Sequence, residues 1–216
     1  MILFQTLPNT FNYDVVDLPL IQQFNAQNPH VWSRALTGLG LPPRAATRRD
    51  EIKDYMKERL YNIQGEYCIY CGNKFRSNNS AHREHIIPKK DYPEYTFHPK
   101  NLVLSCDVCN GFELKGEIDF TSNEAATRAN YDDLDLEIIH PYLDNIFVHL
   151  DVMHTTIRVI NDSPKGKKHI EVFKLNEGWN LEQRLRVSKS NKYSIPLPFQ
   201  NLFHSIVDRY HKYKSK

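Results

Sequence analysis

Tyr67-Cys68-Ile69-Tyr70-Cys71-Gly72, then Ala81-His82-Arg83-Glu84-His85-Ile86-Ile87-Pro88-Lys89, then Pro99-Lys100-Asn101-Leu102-Val103-Leu104-Ser105-Cys106-Asp107-Val108-Cys109-Asn110, is the stretch that decides how this chain is read. All 4 cysteines fall inside it, as two Cys-x-x-Cys pairs. Two such knuckles supply the closed tetrahedral thiolate set of a structural zinc, so Cys68, Cys71, Cys106 and Cys109 are the expected Zn²⁺ ligands. Reduced cysteines or a redox pair are the bland alternative. Tandem knuckles usually stand roughly 15–20 residues apart, whereas 34 residues separate Cys71 from Cys106. The insert must therefore carry structure of its own. A hairpin whose ends the zinc holds together would replace the core that so short a segment cannot build.

The insert also carries chemistry. Residues around His82 to Ile87 read as one strand, Asn101-Leu102-Val103-Leu104 as a second, and Cys109-Asn110 as the start of a helix continuing toward Lys115. Strand, strand and helix would bring Glu84, His85 and Asn110 together. An imidazole is a good general base near neutral pH. A carboxylate and an amide oxygen are hard ligands suited to Mg²⁺ or Mn²⁺. His82 stands three residues before His85, on the opposite face of a strand, and is not expected as a co-ligand. Lys89, Lys90 and Lys100 lie near the expected path of a phosphate, with solvation as the alternative.

These residues resemble the HNH (ββα-metal) nuclease motif in its four-cysteine, zinc-containing version. In that family an acidic-His pair, an Asn before an apolar strand and a Cys-x-x-Cys-Asn helix start occur together. The resemblance implies that His85 is the general base and that Glu84, where Asp is commoner, is an acidic ligand of a catalytic Mg²⁺ or Mn²⁺. It implies that Asn110, where many members carry His, is the second ligand of that cation. Asn101 is implied as the residue that holds the loop and helps to orient the base. Lys115 resembles a basic residue frequent after the family's Cys-x-x-Cys-Asn, and with Lys89 it is an expected nucleic-acid contact. The implied reaction is hydrolysis of phosphodiester bonds in DNA, RNA being left open, to 5′-phosphate and 3′-hydroxyl ends. The match covers about 50 of 216 residues.

Outward from the motif, the expected fold is α+β: a central zinc-stapled ββα unit with a helical N-terminal arm and a C-terminal β-hairpin plus helices. Residues 1–46 read as a docking or packing arm, with a helix starting at Asn28-Pro29 and ending by Gly38 and Gly40. Residues 47–116 read as the nuclease core. There Thr47-Arg48-Arg49-Asp50 suggests a capping box, and Ile52, Tyr55, Met56, Leu60 and Ile63 recur at helical spacing before a stop at Gly65. Residues 117–216 read as an α+β region with a basic terminal helix. Its acidic beginning, Glu117 to Glu137, suggests a linker or turn-rich passage. Alternation over Val148, Leu150 and Val152 and over Ile157 and Val159 suggests strands, with a return strand over Ile170, Val172 and Phe173. Asn180 suggests a cap for a short helix through Arg186, and Phe199, Leu202, Phe203, Ile206, Val207 and Tyr210 mark a last apolar helix face.

The flanks, notably His140-Pro141-Tyr142-Leu143-Asp144 before the hairpin, are loosely similar to HNH proteins of Septu-type and retron-associated anti-phage systems. That similarity implies a defence nuclease acting beside an ATPase partner. Two competing expectations stand beside it. One is a zinc-stapled adaptor for nucleic acid or protein, which would have no need of Glu84, His85 and Asn110. The other is a nuclease subunit competent only inside a larger complex.

Composition narrows the field further. Hydrophobic residues make up 40% of the chain and there are 12 tyrosines, enough for a folded core. No apolar run approaches the roughly 20 residues of a spanning helix, and no export leader is evident, so a cytoplasmic protein is expected. The net charge of +2 permits nucleic-acid binding without demanding it. The basic residues from Arg184 onward could meet phosphate or simply solvate a helix face.

Overall fold

β1 (Ala81–His85) and β2 (Leu102–Cys106) pair antiparallel, with Ala81 opposite Cys106 and His85 opposite Leu102. This computed structural model describes residues 4–190. α3 (Asp107–Asn110) follows β2 directly, its N-terminus capped by the Cys106 sulfur, which accepts the Cys109 N–H. The expected ββα unit is therefore formed. Its helix, however, ends at Asn110 instead of running on to Lys115. From Gly111 the chain turns back on itself, with Leu114 N–H donating to Gly111 O and Lys115 N–H to Cys109 O. That reversal returns Lys115 toward β1.

All five residues of β2 are buried, and its outer edge is closed by a side chain. The Gln64 amide accepts the Leu104 N–H at 2.9 Å and donates to Leu104 O and Tyr67 O at 2.6 Å. A primary amide thus completes the hydrogen bonding that a neighbouring strand would otherwise supply. Gln64 is the last residue of α2 (Ala45–Gln64), which turns Ile52, Met56 and Leu60 into the core and stops at Gly65. The capping box expected at Thr47 is not formed: the helix starts at Ala45 after a left-handed Arg44, which places Thr47 inside its first turn. It is Arg48 that is engaged here, through Asp17 and Glu51.

The helix expected from Asn28 is absent, and the arm's helix is α1 (Leu18–Asn25), opened by Pro19. The reason lies on α2. The buried Arg49 guanidinium takes the carbonyls of Val31 and Arg34 at 3.0 and 2.7 Å, groups that a helix there would have used internally.

After the motif, the acidic stretch is turn-rich, with α4 (Glu124–Ala129) and a bridge between Thr121 and Leu136. It still contributes Phe120, Tyr131, Leu134 and Leu136 to the core. β3 (Leu150–Met153) and β4 (Thr156–Val159) form the anticipated hairpin. The return strand at Ile170 is instead α5 (Pro164–Val172), capped by Ser163, whose hydroxyl accepts the Gly166 N–H. Gly166 packs so tightly that a Cβ there would stand 2.7 Å from His149 O. α6 (Gly178–Ser190) begins before Asn180, which therefore does not cap it. The Asn180 side chain donates to Phe173 O and accepts from the Asn73 amide, beside the first cysteine pair. Arg184, buried, donates to Thr155 O and Leu175 O, so it is not a phosphate contact here. Arg186 faces Glu182 at 3.9 Å and lies over the Trp179 ring, while the apolar face at Phe199 to Tyr210 and the basic residues from Lys192 onward lie outside the described residues. One continuous core runs from Phe4 to Leu175. Among the described residues no helix is long and apolar enough to cross a membrane.

Candidate active site

The four cysteines are unpaired and buried, and their sulfurs lie within 4.8 Å of one another. Cys71 and Cys106 sulfurs are 3.9 Å apart. Metal–sulfur bonds of about 2.3 Å in a tetrahedron put neighbouring sulfurs about 3.8 Å apart, so the cluster is the right size to hold a metal ion. Its backbone is set for thiolates: Cys106 N–H points at the Cys68 sulfur and Cys109 N–H at the Cys106 sulfur. The C-terminal region braces the first knuckle from behind. Tyr70 stacks on Phe173 at 4.3 Å, and the His169 ring donates to Tyr70 O at 3.0 Å.

Glu84 and His85 line one small cleft with Pro88, Lys89, Lys90, Lys115, Gly116 and Glu117. Adjacent residues on a strand point to opposite faces. These two converge because β1 ends at His85 and the chain bends at Ile86 and Ile87. His82 is exposed, as its register predicts. Asn110, half-buried at the end of α3, is not one of the residues lining the cleft.

The His85 ring is held on two sides. Its Nε2 lies 3.0 Å from Thr96 O. A carbonyl only accepts, so Nε2 carries the hydrogen and Nδ1 keeps the lone pair of the neutral ring. Trp32, from the N-terminal arm, packs edge-on to the ring at 4.5 Å. Burial, with Lys89 adding to it, pushes the His85 pKa well below the usual histidine range, so the ring is a neutral base at neutral pH. Glu84 is also buried, and burial raises its pKa while the Lys115 ammonium at 2.7 Å opposes that rise. Lys115 is itself only 1% exposed, paired with Glu84 and not turned to solvent. Lys89 is half-buried and Lys90 exposed at the cleft edge. Lys100 is paired with Asp132.

Asn101 is fully buried behind the cleft. Its Oδ1 accepts the Ile87 N–H at 2.8 Å, and its Nδ2 donates to Tyr95 O at 3.0 Å and Ile87 O at 3.3 Å. It thus ties together the two ends of the loop that contains Thr96. Sequence pattern alone assigns no site role to Trp32, Tyr131 or His140, although it marks the segment that His140 opens. Tyr131 lies 3.2 Å from Asn101 Oδ1 and 3.1 Å from the His140 ring. No local periodicity marks such contacts, which join residues far apart in the chain.

Residues 68–113 match the family model described as HNH endonuclease, the span that holds both cysteine pairs, Glu84-His85, Asn101 and Asn110. The chain carries an HNH endonuclease domain. It is similar to a Septu protein PtuB of Bacillus thuringiensis, 25% identical over 126 residues, covering 58% of this chain and 42% of the relative. A Septu protein PtuB of Bacillus mycoides strain KBAB4 is 27% identical over 163 residues, covering 68% and 54%. A protein named as an HNH endonuclease of retron Vc95, from Vibrio cholerae serotype O1 biovar El Tor, is 25% identical over 158 residues, covering 68% and 75%. The chain spans about half the length of the Septu relatives it matches.

The histidine bracing the first knuckle makes stability depend on pH. Burial lowers His169 from 6.5 to about 4. The unfolded chain therefore takes up a proton at this position before the folded one does. The stabilisation is complete above the unfolded pKa and is lost as pH falls from 6.5 toward about 4. His169→Gln keeps an N–H for Tyr70 O but does not titrate. In urea unfolding it should remove about 2 kcal/mol of the stability that wild type loses between pH 7 and pH 5. Metal loss in acid is common to both proteins, so equal losses would contradict the assignment.

Proposed function

We propose that this protein is a divalent-metal-dependent HNH endonuclease that hydrolyses phosphodiester bonds of DNA, with Zn²⁺ in the four-cysteine cluster. The observation that carries the reading is the pairing, in one cleft, of a buried carboxylate and a neutral imidazole whose hydrogen is already committed to Thr96 O. His85 Nδ1 is then the atom that takes the proton from an attacking water. Glu84 would hold Mg²⁺ or Mn²⁺, for which oxygen donors are the right chemistry, and Asn110, which lies outside the cleft lining, enters as its second ligand on the family resemblance alone. When bound, that ion supplies positive charge to the phosphate and leaving oxygen. Lys115 neutralises Glu84 in its absence, and Lys89 meets the substrate backbone at the cleft edge. Asn101 keeps the loop, and so the base, in place.

The Septu and retron relatives support a role as the nuclease of a bacterial anti-phage system; an ATPase partner and a cytoplasmic location belong to the same proposal and rest on the family resemblance. Of the three lysines that line the cleft, Lys115 is taken by Glu84, which leaves Lys89 and Lys90 to meet a nucleic-acid backbone and fits a nuclease whose grip on DNA depends on that partner. A second reading, a non-catalytic zinc-stapled adaptor, draws on the Lys115–Glu84 pair, since a satisfied buried ion pair is also what an inert core would contain.

Two measurements separate the readings. His85→Ala should lower Mg²⁺- or Mn²⁺-dependent cleavage of plasmid DNA by about 10²–10⁴-fold, in the presence of the ATPase partner where the isolated chain is slow. It should leave zinc content and fold unchanged. An adaptor would show no cation-dependent cleavage in wild type, and equal rates in the two proteins would remove His85 from the role of base. Separately, elemental analysis should find one zinc per chain, lost in Cys109→Ser. A structural zinc contributes roughly 10 kcal/mol or more, as much as the whole stability of a typical domain, so this variant should not fold cooperatively. A folded, zinc-free Cys109→Ser protein would contradict the zinc staple.

A further inference from the structure

His140-Pro141-Tyr142-Leu143-Asp144 lies outside the ββα unit, yet it is wired into the loop behind the cleft. The His140 ring is 1% exposed. Its Nδ1 accepts the N–H groups of Tyr142 at 3.1 Å and Leu143 at 3.2 Å, which leaves the ring hydrogen on Nε2. That Nε2 is 3.1 Å from the Tyr131 hydroxyl. The phenol accepts there, so its own hydrogen is free for Asn101 Oδ1 at 3.2 Å or Lys100 O at 3.1 Å. Asn101 in turn holds Ile87 N–H and Tyr95 O. The next residue after Tyr95 is Thr96, whose carbonyl receives the His85 Nε2 hydrogen. Asn101 is the hub that joins His140 and Tyr131 by hydrogen bonds to Tyr95 O, one residue along the backbone from the Thr96 carbonyl that holds His85.

The segment itself is anchored at both ends. Asp144 accepts the His140 N–H at 2.8 Å and pairs with Lys165, while the Tyr142 hydroxyl donates to Leu102 O at the start of β2. Both ring partners also stay neutral. Burial lowers His140 to about 3 and raises Tyr131, so the donor order does not change around neutral pH.

We propose that Tyr131 and His140 are positioning residues of the nuclease site, which fix, through Asn101, the loop carbonyl that holds His85 in its Nε2–H form. The proposal rests on the reading of His85 as the base, and it explains why the His-Pro-Tyr-Leu-Asp segment accompanies the motif in this chain. A buried hydrogen-bond chain is worth more than its separate links, because each link restricts the next.

The test uses full-length protein with ¹⁵N-labelled histidine, for which NMR reads the tautomer of each ring. Tyr131→Phe keeps the ring that stacks on His98 and meets Tyr95 edge-on, and removes one O–H. It should lower kcat about tenfold, the equivalent of one hydrogen bond's free energy, with KM within about twofold. The His85 signals should change from a single Nε2–H form to a mixture. Ile157→Val, a trim in the β3–β4 hairpin core, serves as the stability control and should leave both readouts as in wild type. Wild-type kcat with unchanged His85 signals in Tyr131→Phe would overturn the proposal. So would activity losses that merely track stability in both variants. Should Tyr131→Phe not fold, wild type still decides: His140 must show Nε2–H and a bare Nδ1, and the opposite tautomer breaks the chain at its first link. If wild type cuts no DNA even with its ATPase partner present, the nuclease reading fails on its own, while the His85 tautomer in Tyr131→Phe still reports on the positioning.

Discussion

Four sulfur atoms held within 4.8 Å of one another are the constraint on which the remaining architecture depends. They join the turn after α2 to the junction of β2 and α3, across an insert of 34 residues. A lone two-stranded hairpin is marginal in water. Here its two ends are fixed, at one side by the cysteines and at the other by Asn101, which bonds Ile87 and Tyr95. The C-terminal helices add packing where the knuckle would otherwise be exposed: Phe173 under Tyr70, His169 on Tyr70 O and Asn180 on Asn73. The domain's flanks are thus part of what keeps the four-cysteine cluster closed.

Rigidity behind the cleft and charge inside it serve different ends. His85 is confined by Thr96 O and by the edge of Trp32, and its burial keeps the ring unprotonated. Glu84 sits beside it with a cation already in contact, the Lys115 ammonium. A buried carboxylate without a partner would be costly. Under the proposed function, the same lysine that satisfies it would have to share or yield its place to a metal ion on the carboxylate. The turn from Gly111 to Gly116, which ends the helix early, is what brings that lysine back to β1.

Much of the motif could be read from residue types and spacing, because its chemistry is local: cysteines at two-residue gaps, an acid next to a histidine, an asparagine before an apolar run. The hairpin is found where these signals put it, while the helix after it starts at Asp107 and stops at Asn110, whereas the pattern expects Cys109-Asn110 to open a helix toward Lys115. The misread elements have a common cause. Asn28-Pro29 and Thr47 are sound helix-start signals that tertiary partners overruled, the first when Arg49 took the local carbonyls and the second when the helix began two residues earlier. Ile170, Val172 and Phe173 resemble a strand, but Ser163-Pro164 starts a helix whose Gly166 lies against the hairpin. Trp32, Tyr131 and His140 act across gaps that no periodicity spans. The helix pattern at Phe199 to Tyr210 lies outside the described residues.

The most direct test of the central claim is a crystal structure with Mn²⁺ added and anomalous scattering recorded at the zinc and manganese edges. The account predicts a zinc peak about 2.3 Å from the sulfurs of Cys68, Cys71, Cys106 and Cys109. It also predicts a manganese peak in direct contact with the Glu84 carboxylate, with the Lys115 ammonium displaced or sharing it and His85 still bonded to Thr96 O. An intact Lys115–Glu84 pair with no manganese in the cleft would contradict it, and would leave a metal-stapled scaffold without hydrolytic chemistry.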